Sequence, residues 1–383
     1  AADIQFYLSR AYMLNYKFNE AILQFTEYDS NKKARRELKT EALRYIENCN
    51  NGKELMAKPV DVVIENIGAP INTSESEYVP VISSDESVLI FTYRGEKSTG
   101  GLQRIDNNSL VGSYTEDVFI SEKQDGKWSD PVSAGEKING NDHDACIALS
   151  GDGQKLFVFN NNGINLGDIS VSTLEGKSWS APVSLQGDIN TSVWEGSCSI
   201  SSDERTLYFS SEREGGLGGK DLYKATVNPD GSWGNVKNLG PGVNTAFDED
   251  APFIHPDGTT LLFSSKGHNS MGGYDIFKSF RMDTAWTKPE NMGYPINTPD
   301  EDIYYVLSAD GSRGYYSSAK SGGYGQQDIY VVGPGLPGWK PSLVLLKGVI
   351  TLNDTVTDAA IEVVLANNNE TVAKYHSIAS SGK

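Results

Sequence analysis

The chain has 383 residues, 39 of them glycine, 10% aromatic side chains and a formal charge of −18. The length exceeds one ordinary domain, and the composition is that of a turn-rich β protein rather than a helical one. Residues 1–58 hold ten basic and eight acidic side chains, which leaves −20 on the remainder, an acidic balance that excludes nucleic acid as a partner.

Residues 3–29 read as two helices. Leu8, Ala11, Tyr12 and Asn15 recur at three- and four-residue steps and predict one buried face; Asn19 is placed to cap the second helix, with Ala21, Ile22 and Phe25 inward. Residues 34–48 predict a third helix with Leu38, Ala42, Leu43 and Ile46 inward, ended or kinked by Asn50-Asn51-Gly52. Leu8, Ser9, Tyr12, Phe18, Ala21 and Phe25 stand at the spacing of a tetratricopeptide repeat, which this segment resembles, departing from it at Tyr28 where a small residue is usual. One repeat cannot form a free-standing solenoid. The segment is either a peptide groove or, the preferred reading, a packing module docked on the next domain.

The central region repeats. A hydrophobic–Asn pair recurs with its asparagine at Asn72, Asn139, Asn190, Asn244 and Asn297, spaced 67, 51, 54 and 53 residues. An aspartate opening a short strand recurs at Asp117, Asp168, Asp221, Asp275 and Asp328, spaced 51, 53, 54 and 53. The longer first asparagine interval marks an insertion near 96–115. Each unit predicts a short apolar strand, a tight Asp/Gly turn, an aromatic-rich strand, a Gly-rich loop, the Asp strand and a Trp strand (Trp128, Trp179, Trp233, Trp286). Four short strands per ~50 residues is the grammar of propeller blades. Five markers with four Trp strands predict that residues 60–66 supply the missing strand of the last blade and close the ring, removing free sheet edges.

The units resemble the WD-like propeller repeats of the TolB and tricorn type. The order helical repeat, propeller, small β-domain resembles the multidomain OmpA-family outer-membrane proteins of Bacteroidetes, PorE-like members associated with type IX secretion among them. The resemblance implies a periplasmic, outer-membrane-associated protein, possible lipoprotein status included, that binds envelope or secretion-system proteins. It also implies peptidoglycan anchoring through a C-terminal domain.

After a Pro/Gly stretch at 334–338, read as a linker or hinge, strands are predicted at 343–352, 360–365 and 372–378. They resemble the start of a carboxypeptidase-regulatory-like β-sandwich. Such a fold needs about seven strands, so the chain is expected to continue. The predicted organisation is therefore mainly β: a tetratricopeptide-like segment (1–58), a five-bladed propeller (59–333), a linker (334–338) and a partial sandwich (339–383).

Two sets of candidate residues stand out. The five repeated aspartates read as structural, since chemistry rarely needs five copies of one carboxylate, and their bonds are expected to go to nearby backbone; the repeated asparagines read as Asx-turns. The loops leading into the inner strands carry Asp142, His143, Asp144, Trp194, Glu195, Asp248, Glu249, Asp250, Asp300, Glu301 and Asp302. They are expected to form an acidic ring at the propeller mouth, with Arg94, Arg213, Lys266, His268 and Lys320 as a basic rim. The ring reads as a docking surface for a partner protein or a hard-cation site, docking ranking above the cation; the alternative is a set of plain solvated loops. No cofactor or metal site is expected. No run approaches 18 apolar residues, so no transmembrane helix is expected. Cys49, Cys146 and Cys198, without a C-x-x-C pair, are expected to be reduced and buried. No G-x-S-x-G or H-E-x-x-H motif is present, so an enzyme is not expected; the alternative is a propeller hydrolase or lectin acting on envelope glycans.

Overall fold

The computed structural model describes residues 2–104, 112–161, 167–283, 285–338, 350–352, 355–356, 359–364 and 371–376. The second strand of each repeat is an unbroken apolar run, as expected of a strand covered on both faces. Leu89, Ile90, Phe91, Leu156, Phe157, Val158, Leu207, Phe209, Leu261, Leu262, Phe263, Tyr315 and Tyr316 are all buried. Around them stand five antiparallel sheets, each a blade. Blade 1 is built on Ser76–Ile82, Val88–Arg94 and Glu116–Gln124; blade 2 on His143–Leu149, Lys155–Asn161 and Asp168–Glu175. Blade 3 has Glu195–Ile200, Thr206–Ser211, Asp221–Val227 and Trp233–Asn238; blade 4 is built on Glu249–Ile254, Thr260–Ser265 and Asp275–Met282. In blades 1, 2 and 4 the outer strand is split into two short pieces, Trp128, Trp179 and Trp286 lying in the first piece. Blade 5 has Asp302–Leu307, Gly314–Ser318 and Asp328–Gly333, and its outer strand is Val63–Asn66 from the start of the ring. Val63 pairs with Gly333 and Asn66 with Tyr330, so the ring closes as the sequence predicts. The insertion carries a hairpin of Leu102–Arg104 and Gly112–Tyr114.

The repeated asparagines do not make Asx-turns. Each reaches back to the third strand of the preceding blade and pairs with its backbone: Asn139 with Val118 N and O, Asn190 with Ile169, Asn244 with Leu222 and Asn297 with Ile276, all at 2.7–2.9 Å. Asn72 does the same to Ile329 across the ring closure, at 2.8 and 3.0 Å. The carboxamide thus imitates a strand residue and satisfies buried backbone groups at the start of that third strand.

Helix α1 (Ala2–Leu14), α2 (Phe18–Ser30) and α3 (Arg36–Met56) form the N-terminal segment. Its core is Phe6, Met13, Phe18, Ala21, Phe25, Tyr28, Leu38, Ala42 and Cys49, with Met271 of blade 4. Leu8 and Leu43, expected inward, are exposed; Ser9 takes the inward place on α1, bonding Gln5 O at 2.7 Å. Asn19 caps nothing: Lys17 holds the N-cap position, and the Asn19 side chain accepts from Lys53 at 2.8 Å. Helix α3 does not end at Asn50-Asn51-Gly52, because Asn51 spends its side chain on the propeller. At Gly52 any Cβ would lie 2.7 Å from the Phe18 ring. Arg44, Asn48 and Asn51 donate to the carbonyls of Lys266, Gly272 and Ser270 at 2.6, 2.6 and 2.9 Å. The helices are therefore packed on the Gly-rich loop of blade 4.

The 334–338 stretch is not a free hinge in its first half. Leu336 is buried in the core of blade 5, and Tyr305 donates its hydroxyl to Gly335 O at 2.5 Å. Beyond it, Thr351–Leu352 pairs with Thr355–Val356, and Ala360–Val364 with Thr371–His376. The first strand predicted there lies mostly outside the described residues.

All three cysteines are free and buried. Cys146 Sγ donates to Val79 O at 3.2 Å, and burial pushes the Cys49 and Cys146 thiols up to about 12. A thiol reagent is expected to find no fast-reacting group in the native protein at neutral pH and three after unfolding without reductant; recovery of only one would mean a disulfide.

Candidate functional site

Because every neighbouring strand pair in a blade is antiparallel, the loops into the inner strands and the Gly-rich loops between second and third strands emerge on one face, the mouth. The expected acidic ring divides in two on that face. Asp144, Glu195, Glu249 and Asp302, together with Glu77, stand five residues after the repeated asparagines and are buried inside the blades. Glu249 accepts from Thr245 N and Oγ1 and from Ser265 Oγ, each at 2.7 Å. Glu195 accepts from Thr191 and Ser211 at 2.6–2.9 Å, and Asp302 from Thr298 and Ser318 at 2.6–2.8 Å. Asp144 takes Gly140 N at 2.6 Å and the Asn160 amide. These carboxylates lock each inner strand to its own loop and are buried out of reach of a docking protein.

The remaining members face the mouth and are compensated. Asp250, buried, binds Lys220 Nζ at 3.1 Å and Ser210 Oγ at 2.8 Å. Lys220 also lies 3.4 Å from the centroid of the half-buried Trp194 ring. Asp248 pairs with Lys266 at 3.2 Å, and Lys266 sits over Tyr274. Glu301 accepts from Tyr274 N at 2.9 Å and Asp300 from Glu301 N at 2.9 Å. Asp142 is exposed. His143 Nδ1 lies 3.0 Å from Glu116 Oε2, and Arg94 and the Tyr78 hydroxyl share the other Glu116 oxygen, Arg94 at 3.2 Å. Those donors hold the Glu116 carboxyl below its usual range against the opposing effect of burial, and the bond to Glu116 raises His143.

The basic rim is likewise engaged. Arg213 donates to Ile189 O at 2.7 Å, and His268 Nε2 lies 2.8 Å from Val243 O, the same slot in successive blades. Lys320 bonds the Tyr316 hydroxyl and sits over the Tyr316 and Tyr330 rings.

Of the repeated aspartates, Asp221 accepts Leu217 N and Gly218 N at 2.7 and 2.9 Å, and Asp328 accepts Tyr324 N and Gly325 N at 2.6 and 3.0 Å. Asp275 takes Met271 N at 3.0 Å and Ser270 Oγ at 3.2 Å, and Asp117 takes Thr99 N and Oγ1 at 3.0 and 2.7 Å. The inner bond in Asp168's blade runs from Ile169 N to Asn190, Asp168 itself opening the strand as in the others.

Glu116, Lys220 and Tyr274 share a slot, the residue before the repeated aspartate, which also holds Gly167 and Gln327. In four blades its carbonyl receives the N–H of an inner-strand residue of the next blade, so there the slot stands at the seam between neighbouring blades. Aligning the five units on the aspartates would have found it. At the axis, residues of all five inner strands, Tyr304, Val79, Ile147, Ser197 and Pro252 among them, leave a space of ≈ 20 Å³. That is room for about one water. Among the described residues no three His, Cys, Asp or Glu side chains converge as a ligating group.

Burial pushes Glu77 and Glu249 up to about 7, Asp144 and Asp302 to about 6, and Asp275 to about 8. In the unfolded chain these groups ionise near pH 4. The folded protein therefore binds more protons between pH 4 and 8, and their contribution to stability is present at low pH and lost as pH rises through the folded values. His143, raised, acts in the same direction; His268, lowered by burial, opposes it. Asp257 and Glu116, both lowered, contribute stability that is lost only below about pH 4. Tm is thus expected to be higher at pH 5.5 than at pH 8 by ~4 °C or more. A flat or opposite profile in a calorimetric pH series would show these acids ionised in the fold.

No protein-family model matches the chain, and no curated protein matches it in sequence. Solved structures similar in chain course include TolB from Acinetobacter baumannii, at 13% identity over 79% of this chain and 71% of that one, TM-score 0.41. A glycosyl hydrolase from Bacteroides ovatus is 13% identical over 68% and 84%, TM-score 0.42. The catalytic domain of an α-L-arabinofuranosidase from Coprinopsis cinerea is 11% identical over 72% and 98%, TM-score 0.45. Likenesses this remote bear on no role.

Proposed function

We propose that the protein is a non-catalytic adaptor whose propeller mouth docks a protein partner in the periplasm. The observation that carries this reading is where the propeller leaves large apolar side chains in water. Leu102, Leu217, Phe247 and Tyr324 are 40–58% exposed, and all four stand on mouth-face loops. Among the described residues of the ring the others are Val63, Val132 and Val183, scattered singly on three outer strands, and Met282. Exposed aromatic and aliphatic anchors gathered on one face, among engaged charges, suit a protein interface. The narrow axis suits it better than a sugar or small-molecule site, which takes a few hundred Å³. The outer-membrane setting, a link to type IX secretion and a hold on peptidoglycan belong to the same proposal and rest on the resemblance of domain order; sedimentation of the native full-length protein with purified peptidoglycan tests that part.

The docking face is tested by photo-crosslinking in the native envelope from position 247 or 324, with 183 as the control. A specific protein adduct from the mouth positions is expected. Affinity for that protein should fall at least ~10-fold in a Phe247→Ala, Tyr324→Ala double variant. Adducts from 183 alone, or a mouth that takes soluble envelope glycan instead, would reject the reading. Charge reversal belongs at Asp142 and Asp300, because the Glu249 and Asp250 carboxylates are buried and already bonded.

A further inference from the structure

In blades 3 and 5 the repeated aspartate is fully provided with donors: both oxygens receive loop N–H groups, and an outer-strand asparagine (Asn238 or Asn66) adds a bond at 2.7 Å. Blade 4 shows the same pattern with Ser270, Met271 and Asn291. Blade 1 departs from this in three ways. The inserted loop delivers its two donors, Thr99 N and Oγ1, to the same oxygen, Asp117 Oδ2. Ser133 occupies the asparagine slot and makes no bond to Asp117, accepting instead from Asn139 at 2.8 Å. Thr115 stands where blades 3 and 4 have Gly219 and Gly273, adding an oxygen. The outcome is two orphans: Asp117 Oδ1 and Thr115 Oγ1 are buried without a hydrogen-bond partner, in residues each 1% exposed.

More oxygens converge on this seam between blades 1 and 2. An atom built as Cβ on Gly100 would stand 2.7 Å from Thr115 Oγ1 and 2.2 Å from Asn141 O, so the two oxygens approach one point of the loop. Asp144 stands three residues after Asn141 on the same loop, which it closes through Gly140 N at 2.6 Å. A buried carboxylate oxygen without a donor is costly. Blade 1 has removed donors and added acceptors, which is the chemistry of a hard-cation site rather than of a hydrogen-bonded turn.

We propose that Asp117 and Thr115, with the Asp144 carboxylate and the Asn141 carbonyl, bind a calcium ion between blades 1 and 2. Two carboxylates, a hydroxyl and a carbonyl, completed by water, are within calcium's tolerance for mixed oxygen ligands. The ion would tie the inserted loop to the Asp142–Asp144 loop.

The test is calorimetry of the purified chain after dialysis against EDTA, with and without about 10 mM CaCl2, above the ~0.1–1 mM range of extracellular calcium modules. Calcium is expected to raise Tm by ~3–8 °C, and Asp117→Asn to abolish the rise. Should Asp117→Asn fail to fold, Thr115→Val, which deletes one ligand and keeps the shape, is expected to weaken calcium binding at least ~5-fold. Terbium gives a second readout: luminescence sensitised by Tyr93, the cross-strand partner of Asp117, should appear and be competed away by calcium. An unchanged Tm with no terbium signal overturns the site and leaves the orphan oxygens to water. A calcium-induced rise that survives both substitutions overturns it too, placing the ion elsewhere on the acidic surface.

Discussion

Asn72→Ala is expected to cost about 3–5 kcal/mol and to open the ring at its seam. The carboxamide makes three bonds there: two to the backbone of the buried Ile329 and one to Asn66 Oδ1 at 2.8 Å. Removing it strands a buried N–H and a buried C=O, each worth ~1–3 kcal/mol, in a fold whose total stability is of order 5–15 kcal/mol. Asn66, which also holds Asp328 at 2.7 Å, loses a partner in the same step. Asn139→Ala removes the same bonds from residues of one continuous stretch, so its opening should stay local. Hydrogen exchange separates them: amides of 63–66 and 328–333 should lose protection in Asn72→Ala and keep it in Asn139→Ala. A loss of stability under about 1 kcal/mol for Asn72→Ala would mean the seam is held elsewhere. Arg313–Glu86, at 2.6 and 3.1 Å, is the first alternative.

Gly325→Ala is expected to cost about 3 kcal/mol or more. A Cβ there would lie 1.7 Å from Glu75 O, and Gly218 meets Phe247 O at 1.8 Å in the same way two blades earlier. The obstacle is the backbone of the next blade, which cannot rotate aside as a side chain does, so the whole loop must move. Gly242→Ala, with nothing within 4 Å of the added atom, should stay within about 0.5 kcal/mol. Equal midpoints for the two variants in urea unfolding would show that the blades are not in close contact at this loop.

The ring was readable because its devices recur: Asn72 and its four counterparts, the five aspartates and the Trp strands share one period, and a missing fifth Trp strand announces the closing one. The mouth was harder, since reading acidic loops as a solvated ring ignores register. Asp144, Glu195, Glu249 and Asp302 fall five residues after the asparagine in every unit, and Thr191, Thr245 and Thr298 one residue after it. A position fixed in all blades by local bonding belongs to the scaffold, whereas the slot of Glu116, Lys220 and Tyr274 varies from blade to blade. In the helices, periodicity alone picked the wrong face of α1. Leu8 lost to Phe6, Ser9 and Met13 because α2 packs against that side, a tertiary choice with no local signal. Nor could the sequence show that Asn48 and Asn51 would bond a loop more than two hundred residues away and so carry α3 past its apparent stop.

The seating of Val63–Asn66 beside Asp328–Gly333 also decides how the molecule would bear a load. Val63 pairs with Gly333, so the segments before and after the ring leave from the same end of one strand pair. Tension between them would peel that pair one bond at a time, the weak direction for an antiparallel ladder, instead of shearing all its bonds together. Clamps stand outside the pair on both sides: α3 is fastened to blade 4 through Arg44, Asn48 and Asn51, and Leu336 and Gly335 are held against blade 5. A pull on the two ends would meet these clamps before it reached the zipper, and the ring would stay shut until one of them slipped.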